Sequence, residues 1–335
     1  MSFRRSLRTS AAALTLLLPF AAGCGTEAEA DAPSSVSAVT LRVGATGWKT
    51  EEAVLKYAGL DDAPYQVKWS QFQGGDQQLQ AVRAGALDLA SSSEIPPIFA
   101  AADGAPNFRV VAVQRGSTLN QEVVVPKGSK VTDIAGLKGK KVGYVQNTTA
   151  HYFLYRLLKQ AGLKWSDIDA KPLLPNDGLA ALNGGGIDAF ASYGTSIITA
   201  HQQGATTVGS GKDILSGNFL WSARDSVLKS PAQKAAVADL IARITKAYAY
   251  VRDGHLDGFA KITADATHQP LAQARKDLAD AQNQRPTQAR TVGDDTIASQ
   301  QKVADAFTEL GALKQHLDVK SFWTTDLNAD LKKAL

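Results

Sequence analysis

The stretch L-Q-A-V-R-A-G-A-L-D-L-A-S-S (79–92) returns 100 residues later as L-A-A-L-N-G-G-G-I-D-A-F-A-S (179–192), with Leu79/Leu179, Ala81/Ala181, Gly85/Gly185, Asp88/Asp188 and Ser92/Ser192 identical. Each copy reads as a short helix stopped at glycine, then a strand that opens on Leu-Asp or Ile-Asp and ends in small or hydroxyl residues. Any helix–glycine–strand unit looks somewhat alike. The sharper reading is two α/β lobes of related build whose strand ends face a shared cleft, because ligands of open α/β sheets bind outside the carboxyl ends of the strands.

Outward from the repeat, strand-like runs recur at 40–44, 65–69, 87–91, 109–113, 122–125, 141–145, 187–191 and 219–221. Helical patterns lie between most of them. The clearest spans Thr149 to Ala161, with Phe153, Leu154, Leu157, Leu158 and Ala161 on one stripe and Gly162 as its stop. This alternation predicts an α/β fold of two doubly wound, parallel-sheet lobes. After Ser230-Pro231 only helices are expected. Ala236, Val237, Leu240, Ile241, Ile244, Tyr248 and Val251 form one apolar face, and a second helix runs from about Thr296 to Leu310, capped by Asp294 or Asp295 and stopped by Gly311. Such a tail needs a sheet to pack on, and the first lobe is expected to supply it.

The chain has 335 residues, 44% hydrophobic and 20% charged, enough for about two domains and too apolar for disorder. Its N-terminus carries Arg4, Arg5 and Arg8, then an apolar run from Ala11 to Gly23 that is too short for the ~20 residues of a spanning helix. This is the pattern of a signal peptide over residues 1–23. The only cysteine, Cys24, follows Ala21-Ala22-Gly23 and resembles the acylated cysteine of a bacterial lipobox. Residues 24–38 read as a flexible tether reaching roughly 20 Å. The expected location is therefore extracytoplasmic, anchored to the cell membrane by lipid on Cys24. Without the signal peptide, 33 basic residues face 32 acidic ones. That balance argues against nucleic acid as a partner.

Enzyme motifs are missing from the sequence. No G-x-x-x-x-G-K-[ST], G-x-G-x-x-G or G-x-S-x-G occurs, and the five histidines form no H-E-x-x-H or close H-x-H group. No metal, cofactor or catalytic residue is expected from it, although a triad assembled in space leaves no mark in sequence order.

Several stretches resemble the solute-binding proteins of ABC importers, in the aliphatic sulfonate, taurine and nitrate group. They are F-Q-G-G-D-Q-Q-L-Q-A-V-R-A-G-A-L-D-L-A (72–90), S-S-S-E-I-P-P-I-F-A-A-A-D-G (91–104), V-P-K-G-S-K-V-T-D-I-A-G-L-K-G-K-K-V-G (125–143), N-T-T-A-H-Y-F-L-Y-R-L-L-K-Q-A-G-L (147–163) and W-S-D-I (165–168). The resemblance covers roughly residues 40–225. It implies a type II periplasmic binding protein fold with lobe 1 at 39–125 plus 217–335, lobe 2 at 126–216, and hinge crossings near Val125-Pro126 and Gly217-Asn218. It implies a small organic anion as ligand, an ABC permease with its ATPase as partner, and a monomer.

A tetrahedral sulfonate suits neutral donors at helix starts. Asn147, Thr148 and Thr149 stand before or at one such start, with His151 one turn in. Ser92 and Ser93 form a hydroxyl cluster, with Glu94 at the family's acidic position. Thr46, Gly47 and Trp48 leave the first strand, Gln73 the next, and Tyr193 and Thr195 close the set from the second lobe. Ordinary capping also explains a threonine before a helix, and packing or solvent also explains His151. Where the family commonly has a W-D-P-like stretch, this chain has Ser192-Tyr193-Gly194-Thr195. That departure leaves room for a bulkier sulfonate, a sulfinate or a heterocycle resembling a thiamine pyrimidine. Two rival readings stay open beside the importer receptor: a sensory lipoprotein that binds the same ligand, and an enzyme of similar fold.

Overall fold

The computed structural model describes residues 33–335. The expected signal peptide and Cys24 lie outside the described residues. The chain runs β1 (Thr40–Thr46), α1 (Thr50–Tyr57), β2 (Gln66–Phe72), α2 (Gly75–Arg83), β3 (Leu89–Ser93), α3 (Pro96–Ala102) and β4 (Phe108–Arg115). It continues through β5 (Gln121–Val125), β6 (Lys141–Tyr144), α4 (Thr149–Gln160), β7 (Asp169–Pro172), α5 (Pro175–Asn183), β8 (Ala189–Tyr193), α6 (Thr195–Gln202) and β9 (Thr206–Ser210). After β10 (Asn218–Arg224) come α7 (Asp225–Leu228), α8 (Pro231–Tyr250), α9 (Leu256–Thr267), α10 (Leu271–Gln284), β11 (Gln288–Arg290), α11 (Asp294–Leu310) and α12 (Asn328–Ala334).

Two sheets form, in the orders β11-β4-β10-β3-β1-β2 and β7-β6-β8-β5-β9. Strands β1–β3 and β6–β8 pair in parallel, as the alternation predicts. The sheets are mixed rather than wholly parallel, because β10 runs against β3 and β4, and β5 runs against β8 and β9. The cause is topological. A strand arriving from the other sheet starts at the carboxyl ends of its new neighbours, as Gln121 opposite Tyr193 and Phe219 opposite Ser93 show, so it must run away from them.

This pairing moves one expected boundary. β5 belongs to the second sheet, so the first crossing occupies 116–120 and not the Val125-Pro126 junction. The run E-V-V-V announces a buried strand but carries no sign of which sheet receives it. The tether also ends early, since Val36–Ala38 forms a 3-10 turn and Val36 packs on a hydrophobic cluster.

The C-terminal region is not helices only. β11 pairs with β4 at a sheet edge. The expected apolar face of α8 is buried throughout, against Leu41, Val43, Trp221 and Phe259 among others. α11 begins at Asp294 with Gly293 as its N-cap, so Asp294 and Asp295 sit in the first turn, where their charge suits the helix dipole without capping it. It ends at Gly311 with φ +78°. Its Phe307 ring packs on His151 and Tyr152 of α4, at 5.0 and 5.9 Å, so the tail touches the second sheet's helices as well as the first's.

The sequence repeat has a physical basis. Gly85 and Gly185 both sit at φ +74°, a left-handed conformation that lets each helix end and the chain double back. The following aspartate then latches the neighbouring parallel strand. Asp88 N–H donates to Arg42 O and its carboxylate accepts from Arg42 N–H, at 2.8 and 2.9 Å; Asp188 makes the same pair with Lys141, at 2.8 Å each way. The two latches differ in their surroundings. Asp88 is 2% exposed and also binds the Arg42 and Arg224 guanidinium groups, whereas Asp188 is exposed. Burial pushes the Asp88 carboxyl up, but the hydrogen bonds and charge of the two arginines outweigh it and hold the group below the ordinary carboxylate range.

Its contribution to stability is therefore complete above the ordinary carboxylate pKa and disappears as pH falls through the lower folded value. Asp88→Asn should cost about 2–3 kcal/mol in urea unfolding at pH 7, at or below the low end for a broken buried pair because both arginines keep some solvent. Asp188→Asn, losing one exposed bond, should cost no more than about 1 kcal/mol. Equal costs would contradict this account of the repeat.

Candidate functional site

The carboxyl ends of β1, β3 and β8 meet the start of β5 and the N-termini of α1, α2, α4 and α6 around one cavity of about 260 Å³. Helix N-termini present unpaired N–H groups and the positive end of the helix dipole. Four of them facing one space make it a donor-rich environment without any formal positive charge. Among the described residues lining it there is no lysine, arginine or histidine.

The lining is prepared from behind. Gln78, fully buried, donates from Nε2 to the Thr46 hydroxyl at 2.8 Å while its Oε1 accepts from Ser91 N–H at 3.0 Å. Because Thr46 Oγ1 accepts from Gln78, its own proton remains to be donated into the cavity. Gly75 opens α2 against β3, and a Cβ there would run into Ser92 Cβ and the Pro96 ring, so only glycine allows this approach. On α4, the Thr148 hydroxyl accepts from Ala150 N–H at 3.2 Å and donates to Val145 O at 2.7 Å. Thr148 thus caps its helix, and among the described residues no hydrogen bond engages the Thr149 hydroxyl.

Six of the residues singled out from sequence line this cavity: Thr46, Ser92, Ser93, Thr148, Thr149 and Tyr193. Gly47, Trp48, Gln73 and Thr195 line a second recess of about 450 Å³, which shares Thr46, Thr50, Tyr193 and Gly194 with the first. The Tyr193 hydroxyl donates to Gln73 O at 3.2 Å, and Gln73 Oε1 accepts from Asn176 N–H at 3.5 Å, so Gln73 is joined to both β8 and α5. Burial, with Asp76 nearby, pushes the Tyr193 phenol well up, which keeps it a donor.

Three others are brought elsewhere. Asn147 lines neither recess; it adopts φ +58° and donates its N–H to His151 Nδ1 at 3.4 Å. His151 is packed between Tyr144, Trp165 and Phe307, with ring centroids 4.8–5.0 Å away, and burial pushes its pKa down to about 4. It is neutral at pH 7 and turned into the core. Glu94 is buried behind the wall, where Oε1 accepts from Ser216 at 2.6 Å and Oε2 from Ser299 at 3.0 Å.

Sequence reasoning missed Glu51, Gly75, Ser117, Gln121 and Phe219 in the inner cavity, and Thr263, Ala274, Asp277 and Leu278 of α9 and α10 in the outer one. Only Gly75 carried a signal, as a glycine at the start of a helix. Among the described residues, Glu51 is the one charged side chain in the inner lining. Burial pushes its carboxyl above the ordinary value, with its own backbone N–H opposing.

Residues 61–252 match the family described as NMT1/THI5 like. An Escherichia coli (strain K12) protein named "Putative aliphatic sulfonates-binding protein" is 31% identical over 257 residues, covering 76% of this chain and 78% of that one. Two solved structures are similar over most of the chain. The alkanesulfonate-binding protein SsuA from Xanthomonas axonopodis pv. citri, bound to MOPS, has 25% identity and a TM-score of 0.76 over 85% of this chain and 98% of its own. The periplasmic aliphatic sulphonate binding protein SsuA from Escherichia coli has 27% identity and a TM-score of 0.72 over 85% and 92%. With two sheets joined by two crossings and a donor-lined cavity between them, the chain belongs to the NMT1/THI5-like family and has the periplasmic binding protein fold.

Proposed function

We propose that this protein is the extracytoplasmic solute-binding component of an ABC importer, capturing a sulfonate or related organosulfur anion between two lobes and passing it to a permease powered by a separate ATPase. One observation carries the reading: the cavity offers hydroxyl and helix-terminal N–H donors and, among the described residues, no basic side chain. A sulfonate presents three acceptor oxygens and one delocalised charge. Dipoles and hydroxyls can satisfy those oxygens when water is excluded, yet release them more readily than a buried ion pair would. The names of the similar proteins point the same way.

The inner contacts would be Thr46, Ser92, Ser93, Thr148, Thr149 and Tyr193, with Gly47, Trp48, Gln73 and Thr195 at the mouth. The lobes would be 39–115 with 218–335, and 121–210, hinged at the two crossings. The outer recess, open beside Tyr193-Gly194-Thr195, favours a ligand with more bulk than a short alkyl chain. The lining pairs no nucleophile with a histidine or lysine base, which favours capture over catalysis. A lipid on Cys24 would hold the monomeric receptor at the membrane.

Thermal melting against alkyl and aryl sulfonates tests the reading. At a hundredfold excess over Kd the correct class stabilises the protein by about 2.7 kcal/mol, or several degrees. No shift with any sulfonate would overturn the assignment. Gln78→Leu should weaken that binding roughly tenfold, or about 1.4 kcal/mol, by freeing the Thr46 hydroxyl to turn away. Metabolic labelling with a tagged fatty acid should mark the wild type and not Cys24→Ser; label on both would exclude Cys24 as the anchor.

A further inference from the structure

Rotation of one lobe against the other must be taken up where neither lobe holds the chain. In the first crossing, Gln284 of the tail accepts from the Ser117 hydroxyl and the Thr118 N–H at 2.7 and 3.0 Å, which fixes both residues to the first lobe. Asn120, at φ +55°, is already held to the second lobe, where its O accepts from Gly194 N–H at 2.9 Å. In the second crossing, Gly211 N–H donates to Gln121 O at 2.8 Å and Leu215 N–H donates back to Gly211 O at 2.9 Å, so 211–215 moves with the second lobe. Ser216 does not. Its hydroxyl donates to Glu94 Oε1 at 2.6 Å and accepts from Asn218 N–H at 3.0 Å, which clamps the 216–218 turn to the end of β3. The pivots are thereby narrowed to Leu119 and the Leu215–Ser216 link. The Thr118 hydroxyl keeps them side by side by donating to Lys212 O at 2.8 Å.

Glu94 is placed to set that axis. It is 5% exposed and directly follows Ser92-Ser93 of the inner cavity, while Phe219, just beyond Ser216, pairs with Ser93 and lines the same cavity. A carboxylate has two acceptor oxygens, so it holds Ser216 with one and Ser299 of the tail with the other. From behind, fully buried Gln300 donates to Glu94 O at 2.6 Å and accepts from Trp323 Nε1 at 2.6 Å, which fixes the backbone at Glu94. We propose that Glu94 is the positioning residue of ligand capture: acting through Ser216 and touching no ligand itself, it fixes the axis about which the second lobe closes on the β3 end. Without that clamp the 216–218 turn joins the pivot and the lobes sample more directions. Fewer of those directions bring the donors of both lobes onto one ligand. The inference rests on capture between two lobes and not on which anion is captured.

The test compares Ser216→Ala with Ser299→Ala, which remove the two hydroxyl donors to the same carboxylate. Each deletes one hydroxyl from a half-buried position, a loss well within the stability of a domain. The full chain with Cys24→Ser carries nitroxide labels at Lys68→Cys and Lys138→Cys, exposed on the first and second lobes, and the interlobe distance is measured without ligand. Ser216→Ala should broaden the distance distribution roughly twofold, and Ser299→Ala should leave its width unchanged. With 1-butanesulfonate as probe, release should be about tenfold faster for Ser216→Ala and within about twofold of the wild type for Ser299→Ala. Equal broadening by both variants, broadening by neither, or broadening without faster release would overturn the inference. If neither butanesulfonate nor any other sulfonate binds the wild type, the sulfonate assignment falls, and the label distances alone decide the role of Glu94.

Discussion

The two crossings of the chain meet at a single backbone hydrogen bond, from Gly116 N–H to Gly217 O at 3.0 Å. Much of the architecture follows from that junction. Because β5 and β10 both depart from it, each begins beside the carboxyl ends of its neighbours, and those ends face one space. The helices that follow the parallel strands must start there too. The C-terminal helices secure the junction. Gln284 of α10 binds Ser117 and Thr118, Arg285 donates to Gly116 O, and Ser299 and Gln300 of α11 hold Glu94, whose carboxylate also binds Ser216. Glu94 thus ties the β3–α3 turn, the second crossing and the tail together. Burial holds its carboxyl above the ordinary range, and the hydrogen bonds from Ser216 and Ser299 only partly offset that rise.

Donors without charge are a consequence of this geometry. Four helices aimed at one cavity can solvate an anion through dipoles that are fixed in place, so little reorganisation accompanies binding. The side chains behind them, Gln78 above all, set which way each hydroxyl points. His151 contributes in another way. Neutral and wedged between Tyr144, Trp165 and Phe307, it fixes the first turn of α4 and the approach of α11.

The repeat at 79–92 and 179–192 was legible because it rests on local chemistry. A left-handed glycine ends a helix, and an aspartate latches the next strand; both requirements are met by residues a few positions apart. Strands β7, β9 and β11, by contrast, left no trace in the expectations. All three lie at sheet edges, are partly exposed, and carry no sustained apolar alternation, so their pairing depends on a neighbour already in place. The same distinction runs through the site. Thr148 and Thr149 were visible as a helix start, and Ser92 and Ser93 as a strand exit. Glu51 and Gln121 look like an ordinary first-turn acid and a strand-end polar residue until the fold turns them into one cavity.

By itself the sequence determined the α/β class, the two related lobes, the parallel cores of both sheets, the main helix of the second lobe and the buried face of α8, since each depends on periodicity and on glycine and capping residues nearby. Only the tertiary structure decided that β5 belongs to the second sheet, that the tail reaches both lobes, that Glu94 and His151 serve the framework, and that a lone carboxylate sits among the donors. Those outcomes depend on contacts between residues far apart in the chain. No local pattern records them, because the free energy that selects them arises only when the distant surfaces meet.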